Sequence, residues 1–209
     1  MTTQHHFTPL IMTSFLIVGC ARFVVSPIRR ALTRLESAYS MRVDWTREFQ
    51  RRTEKQIIRI DGYKMSVMND DGTIYMQINP YQENIDVYAR SSGSATWRTR
   101  TVSFAQVDYD ASIDGMKFDI PSDFIVADDI DENRYWIRDT KLYHYDDFID
   151  LAQLNRGYSP TIQSIEMLIT DDDDFDQFVI SFHTIEGDAT LTLEFSRFND
   201  TNITLPKVG

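Results

Sequence analysis

The chain contains very little cysteine and no familiar catalytic motif. Its 209 residues include one cysteine, Cys20, which excludes a disulfide framework within the chain. His144 and His183 lie on separate predicted elements without a zinc-ligand spacing, and no G-x-S-x-G, P-loop or G-x-G-x-x-G motif occurs. The residues therefore predict no catalytic site, no cofactor and no metal site.

Two acidic stretches have the oxygen ligands that Ca²⁺ prefers. The stretch that begins at Asp129 has Arg134 and Thr140 at loop positions where an EF-hand has Gly and Glu. The run from Asp171 to Asp176 is predicted at a hairpin tip. It is either a Ca²⁺ site or a solvated turn whose charges prevent edge pairing, and the second interpretation is favoured.

Charge is distributed unevenly along the chain. The net charge is −11, and residues 1–19 contain no Asp, Glu, Lys or Arg. Residues 21–64 carry eleven basic and five acidic side chains, whereas residues 65–209 carry ten basic and twenty-seven acidic ones. The acidic part is expected to repel nucleic acid. The basic side chains Arg29, Arg30 and Arg34 either face anionic lipid headgroups or form a solvated helix face, and charge alone leaves both interpretations open.

An apolar run from Leu10 to Val18 leads directly to Cys20, which is flanked by the small residues Gly19 and Ala21. The segment Ile17-Val18-Gly19-Cys20 resembles the lipobox, where bacterial signal peptidases cut and a diacylglyceryl group is attached. An apolar stretch followed by a small-residue cut site is typical of a secretory signal. The pattern predicts a lipoprotein signal peptide at residues 1–19, lipidation of Cys20 and a lipidated tether at residues 20–26.

An uncleaved transmembrane anchor from Phe7 to Ile28 is the alternative. Arg22 would cost about 2.5–3.5 kcal/mol inside such a span, Pro27 lies near its end, and the apolar run is short for a membrane crossing. The lipid anchor is therefore favoured. It predicts a membrane-anchored protein of the cell envelope that works outside the cytoplasm.

The periodicity of the remaining chain predicts a helix followed by an antiparallel sheet. Pro27 is well suited to the first helical position, and the apolar stripe that follows predicts a helix to Tyr39. A second helix with an acidic start is predicted from Asp146 to Leu154. Short turns between strands require antiparallel neighbours. The predicted strands cover residues 58–60, 63–68, 74–78, 85–89, 97–104, 117–120, 135–137, 161–170, 177–185 and 189–198.

This order of elements resembles the LolA/LppX-type family of bacterial lipoprotein and lipid carriers. The similar features are the helix after the anchor, the meander with Ile60-Asp61-Gly62 and the later Trp97, the element at Asp146, and the close Phe195-Ser196-Arg197-Phe198-Asn199 with Ile203-Thr204-Leu205-Pro206. The resemblance implies an α+β fold with a strongly curved antiparallel sheet, an incomplete barrel. An N-terminal helix and one or two short helices would cover its concave face, in a single domain over residues 27–209.

The resemblance also implies non-catalytic binding or transfer of a lipid or another acylated or apolar ligand at the membrane. An apolar cavity at the mouth of such a sheet is suited to acyl chains. The alternative is a structural or protein-interaction lipoprotein with a filled core, in which the same side chains are ordinary core residues. The candidate cavity-lining residues are Met65, Met76, Trp97, Phe104, Trp136 and Met167.

Replacing Cys20 with Ser tests the lipid anchor. Because the thiol is the acylated group, metabolic labelling with radioactive palmitate is expected to label the unsubstituted protein and to leave Cys20→Ser without label. Immunoblotting of both samples controls for the amount of protein. Label retained by the variant would contradict the prediction.

Overall fold

The structure, a computed structural model, describes residues 26–50, 52–106, 117–118, 120–147, 149–150, 161–185 and 187–207. Cys20 and its cut site lie outside these residues. The described elements are α1 (Pro27–Ser37), β1 (Ser40–Phe49), β2 (Arg52–Asp61), β3 (Lys64–Asn69), β4 (Gly72–Asn79), β5 (Asn84–Ser91), β6 (Arg98–Ser103), β7 (Lys117–Phe118), β8 (Ile125–Ala127), β9 (Arg134–Ile137), β10 (Ile149–Asp150), β11 (Thr161–Ile169), β12 (Phe175–Thr184) and β13 (Gly187–Ser196). Short 3₁₀ helices cover Pro80–Gln82, Phe104–Gln106, Ser122–Phe124 and Asp139–Asp147.

Eleven of these strands form one open sheet in the order β6-β5-β4-β3-β2-β1-β13-β12-β11-β9-β8. Every pairing in it is antiparallel. The pairing of β1 with β13, for example Val43 with Phe195, joins the two ends of the chain at the middle of the sheet. The predicted antiparallel sheet is confirmed, and β6 and β8 are its edges.

One face of the sheet, here called the inner face, carries the core. In β13, Leu191, Leu193 and Phe195 are buried on this face, whereas Thr190 and Thr192 point to the opposite, outer face. Such alternation is the pattern of a sheet with one face packed and one solvated. The two faces of β13 are therefore those that its sequence predicts.

Helix α1 covers part of the inner face and lies mainly against β11 and β12. Its buried side chains Ile28, Ala31, Leu32 and Leu35 belong to one apolar cluster with the inner-face residues of these strands, among them Phe178. Fully burying a Leu or Phe side chain contributes about 1.5–3 kcal/mol. This burial is the main force that holds the helix on the sheet.

The helix begins where the sequence predicts and ends two residues early, at Ser37. The Ser26 carbonyl accepts hydrogen bonds from the N–H groups of Arg29 and Arg30, at 3.0 and 3.1 Å. Tyr39, predicted as its last residue, is 68% exposed because the chain is already turning into β1.

The second predicted helix is wrong where the structure describes it. Asp146 and Asp147 end a 3₁₀ helix, and Ile149 and Asp150 form β10, which pairs with β7 in a separate two-stranded sheet. The backbone groups of β10 are thus satisfied by strand pairing and not within a helix. Residues 151–154 lie outside the described part of the chain.

Within the described residues, no α-helix has the length and apolar character needed to cross a membrane.

The segment after β13 runs back across the outer face of β1 to β3. The N–H of Asn199 donates to the Ser40 carbonyl at 2.8 Å, and the N–H of Ile203 donates to Asp61 Oδ2 at 3.0 Å. Lys64 Nζ in turn donates to the Ile203 carbonyl at 3.3 Å, and Ile203 itself is buried. The chain end therefore packs on the outer face of the sheet, whereas the helix packs on the inner face.

Shortening Leu32 tests the role of α1. Leu32 is fully buried, so Leu32→Ala is expected to lower the free energy of unfolding by about 2–5 kcal/mol through lost burial and a residual cavity. Glu36→Ala, on the exposed side of the same helix, is the control and should change it by no more than about 0.5 kcal/mol. Urea unfolding measures both, and equal effects would contradict the packing described.

Candidate functional site

Aliphatic side chains continue along the inner face beyond the part that α1 covers. The cross-strand row that starts at Ile60 in β2 passes through Met65 and Met76 to Val87. The neighbouring row starts at Ile58 and leads to Val67, Ile74 and Ala89. We name the six residues of these rows on β3, β4 and β5 the aliphatic patch: Met65, Val67, Ile74, Met76, Val87 and Ala89.

The aliphatic patch is closed at one end and open at the other. Along β4, Ile78 is 2% exposed, Met76 is half-buried and Ile74 is 41% exposed. The partners of Ile78 on the next strands, Ile85 and Val102, are buried as well. An apolar molecule that enters beside Ile74 would therefore meet a buried apolar floor at Ile78.

The outer face of the same strands is polar and aromatic. In β4, Thr73, Tyr75 and Gln77 alternate with the aliphatic residues. Tyr75 meets the edge of Trp97 with 5.4 Å between ring centroids, and the Arg90 guanidinium lies 4.5 Å from the centroid of Trp97. Because a one-residue slip would exchange the two faces, this contrast fixes the strand register.

Two of the six predicted cavity residues, Met65 and Met76, lie side by side in the aliphatic patch. Met167 is on the inner face but fully buried in the half that α1 covers. Phe104 is half-buried in the 3₁₀ helix after β6. The ligand-binding role of these residues stays a prediction.

Trp97 and Trp136 lie on the outer face, which separates them from Met65 and Met76. Trp97 packs against Tyr75, as described above. Trp136 pairs with Glu166 in β11, and its indole Nε1 donates to Asp128 Oδ2 at 3.4 Å. The six predicted residues therefore do not line one surface.

Four patch residues were missed from the sequence: Val67, Ile74, Val87 and Ala89. Their signal was present, because Ile74 and Met76 alternate with polar residues in β4, and Val87 and Ala89 do so in β5. The predicted residues are all methionines or aromatic residues, so the aliphatic residues of this alternation were not among them.

A second, polar depression lies on β5 and β6 near the chain end. It is an open groove of about 590 Å³ lined by Asp86, Val87, Tyr88, Thr99, Arg100, Thr101 and Pro206. Both carboxylate oxygens of Asp86 are already engaged, since Asn79 Nδ2 donates at 3.0 Å and Thr101 Oγ1 at 2.6 Å. Among the described residues that line this groove, the one carboxylate therefore has a structural role.

The acidic turn between β11 and β12 binds α1. Arg30 Nε donates to Asp173 Oδ2 at 2.7 Å, and Arg34 Nη1 donates to Asp174 Oδ1 at 2.9 Å. The hydrogen bond from the guanidinium lowers the pKa of Asp173 below its ordinary value, and Asp173 raises the pKa of Arg30. The turn is exposed at Asp171 and Asp172, as a solvated turn requires, and it also binds the helix through Asp173 and Asp174.

The arginines of α1 that were expected at a membrane or in solvent are likewise engaged within the protein. Besides the two ion pairs with the acidic turn, Arg29 Nη1 donates to the Ile120 carbonyl at 3.0 Å. Basic side chains of α1 thus pair with acidic side chains of the turn between β11 and β12.

The described histidine side chain forms no metal site. His183 Nδ1 lies 2.7 Å from Asp188 Oδ1 on the exposed outer face near the turn between β12 and β13, and this hydrogen bond lowers the pKa of Asp188. In the part of the chain that the structure describes, no three His, Cys, Asp or Glu side chains come together in a way that could hold a metal ion.

Comparison with known proteins gives distant structural similarity and no match in sequence. No protein-family model matches the chain, and no curated protein matches it in sequence. Among solved structures, the chain is similar to the Mycobacterium tuberculosis lipoprotein LppX, with a TM-score of 0.41 and 11% sequence identity over 85% of this chain and 95% of that chain. The function proposed below therefore rests on the geometry of the chain itself.

Replacing Asp173 with Asn tests the docking of α1 by charge. Because the folded-state pKa of Asp173 is lowered, its ion pair stabilises the fold above the ordinary carboxyl pKa of about 3.9, and this contribution is lost as the pH falls through the folded-state pKa. Asp173→Asn is expected to lower stability at pH 7 and to have less effect at pH 3.

The control is Asp176→Asn, an exposed carboxyl just after the turn in β12, which should change stability little at either pH. Thermal unfolding at both pH values provides the measurement. A loss of stability for Asp173→Asn that is as large at pH 3 as at pH 7 would show that the carboxylate charge does not contribute to holding the helix.

Proposed function

We propose that this protein binds a lipid or another acylated molecule, without catalysis, on the aliphatic patch. The observation that supports this most strongly is the gradient along β4, from buried Ile78 through half-buried Met76 to exposed Ile74. Contiguous exposed apolar surface on a soluble domain marks an interaction site. A surface that is open at one end and apolar throughout is suited to a flexible hydrocarbon chain.

The chemistry of the patch favours binding over reaction. Its six side chains are all aliphatic or methionine, so they offer no nucleophile, acid or base. Each methylene group that the patch removes from water contributes about 0.8 kcal/mol. Met65 and Met76 adjust to different chain shapes because methionine is flexible and polarizable.

The proposal includes the place of action. The lipobox-like segment at Cys20 supports a lipid anchor that holds the domain at a membrane of the cell envelope, outside the cytoplasm. Anchoring would keep the aliphatic patch close to a source of acyl chains.

A charge in the patch tests the binding site. Met76→Glu places a carboxylate among apolar side chains, and we expect the affinity of the purified chain for a fluorescent fatty acid to fall about tenfold or more, because the ligand would bury that charge. Thr73→Glu makes the same charge change on the outer face of the same strand and should leave the affinity within about twofold.

Fluorescence titration below the critical micelle concentration provides the measurement. Lengthening the ligand by one methylene should tighten binding about fourfold until the patch is filled, as 0.8 kcal/mol per methylene requires. No binding by the unsubstituted chain, or an equal loss in both variants, would contradict the proposal and favour a protein partner on this face.

A further inference from the structure

The aliphatic patch is bordered by two arginines on the edge strand β6. Arg98 pairs with Ala89, and Arg100 pairs with Val87, so both arginines continue the inner-face rows of the patch. Both side chains are exposed. Neither forms a hydrogen bond or an ion pair with another residue that the structure describes.

No acidic side chain on the inner face of β4, β5 or β6 balances these two charges. The inner-face positions of the three strands hold Arg98, Arg100, Gly72, Ser91 and apolar residues, but no acidic residue. The acid of these strands is Asp86, which lies on the outer face with both oxygens engaged by Asn79 and Thr101. In a chain of net charge −11, these two arginines border an apolar surface and form no ion pair with a described residue.

We propose that the molecule bound on the aliphatic patch is an anionic lipid with a phosphate headgroup, which Arg98 and Arg100 bind. The inference rests on the proposed function, since the patch must take the hydrocarbon chain. In this arrangement the chain lies on Met76, Val87 and their neighbours, and the headgroup reaches the exposed edge at β6.

The spacing of the two arginines favours phosphate over carboxylate. Two residues apart on one strand, their Cα atoms are separated by about 7 Å, which allows two guanidinium groups to approach one headgroup from different sides. A phosphate presents several oxygens to such a pair, whereas one guanidinium fork already satisfies a carboxylate.

Protection of the sheet edge is the competing explanation for these arginines. Charged side chains on an edge strand hinder pairing with another chain. That role requires charge near the edge and predicts no preference between lipid headgroups. The two explanations therefore differ in a binding experiment.

The experiment compares three ligands with the same sixteen-carbon acyl chain on the full chain: a lysophosphatidic acid, the fatty acid and the uncharged monoacylglycerol. Each displaces a fluorescent lipid below its critical micelle concentration. We expect the lysophosphatidic acid to bind at least tenfold more tightly than the monoacylglycerol, and this ratio to fall as salt increases.

The test variant is Arg98→Gln with Arg100→Gln. It should lose at least tenfold in affinity for the lysophosphatidic acid and less than twofold for the monoacylglycerol, and the retained monoacylglycerol binding shows that the variant is folded. The control is Arg59→Gln with Arg90→Gln, which removes the same charge from the outer face and should leave the ratio unchanged.

Three other outcomes would overturn the headgroup inference, the choice of phosphate or the proposed function. Equal affinities for the three ligands, with no effect of the test variant, would overturn the headgroup inference and leave lipid binding standing. Fatty acid bound as tightly as the lysophosphatidic acid, and weakened equally by the test variant, would overturn the choice of phosphate. Failure of all three ligands to bind would overturn the proposed function itself.

Discussion

The helix that packs on the sheet is much smaller than the sheet, and the rest of the structure depends on this difference in size. Eleven strands spaced about 4.8 Å apart span about 48 Å across, whereas an eleven-residue helix is about 16 Å long and about 10 Å wide. One such helix covers only part of the inner face. The aliphatic residues of β3, β4 and β5 lie in the remaining part, and their partial exposure is the basis of the function proposed for the protein.

Charge adds to apolar burial in placing the helix on the sheet. Arg30 and Arg34 of α1 pair with Asp173 and Asp174 in the turn between β11 and β12, so the helix is held over the C-terminal strands. Part of the uneven charge of the sequence is thus neutralised within the fold, where two basic side chains of α1 meet the acidic turn. Arg98 and Arg100 differ from these arginines because no described acidic residue pairs with them.

Local patterns predicted much of the fold, and long-range pairing accounts for the rest. The alternation in β4 and β13 and the turns at Gly62 and Gly72 are readable because each depends on residues close in sequence. The pairing of β1 with β13 joins residues about 150 positions apart, and no local pattern specifies it. The strand register also decides on which face of the sheet Trp97 and Trp136 lie, and the register cannot be read from residue type. The prediction that they share a surface with Met65 and Met76 is therefore wrong.

The central claim is that hydrocarbon binds the inner face beside α1 and not beneath it. Photo-crosslinking with a diazirine-labelled fatty acid, followed by mass spectrometry of the digested protein, tests it most directly. Label is expected on peptides from residues 64–91, which contain the aliphatic patch, and this label should be lost when excess unlabelled fatty acid competes. Label concentrated on α1 or on residues 161–196, or label that competition does not remove, would contradict it.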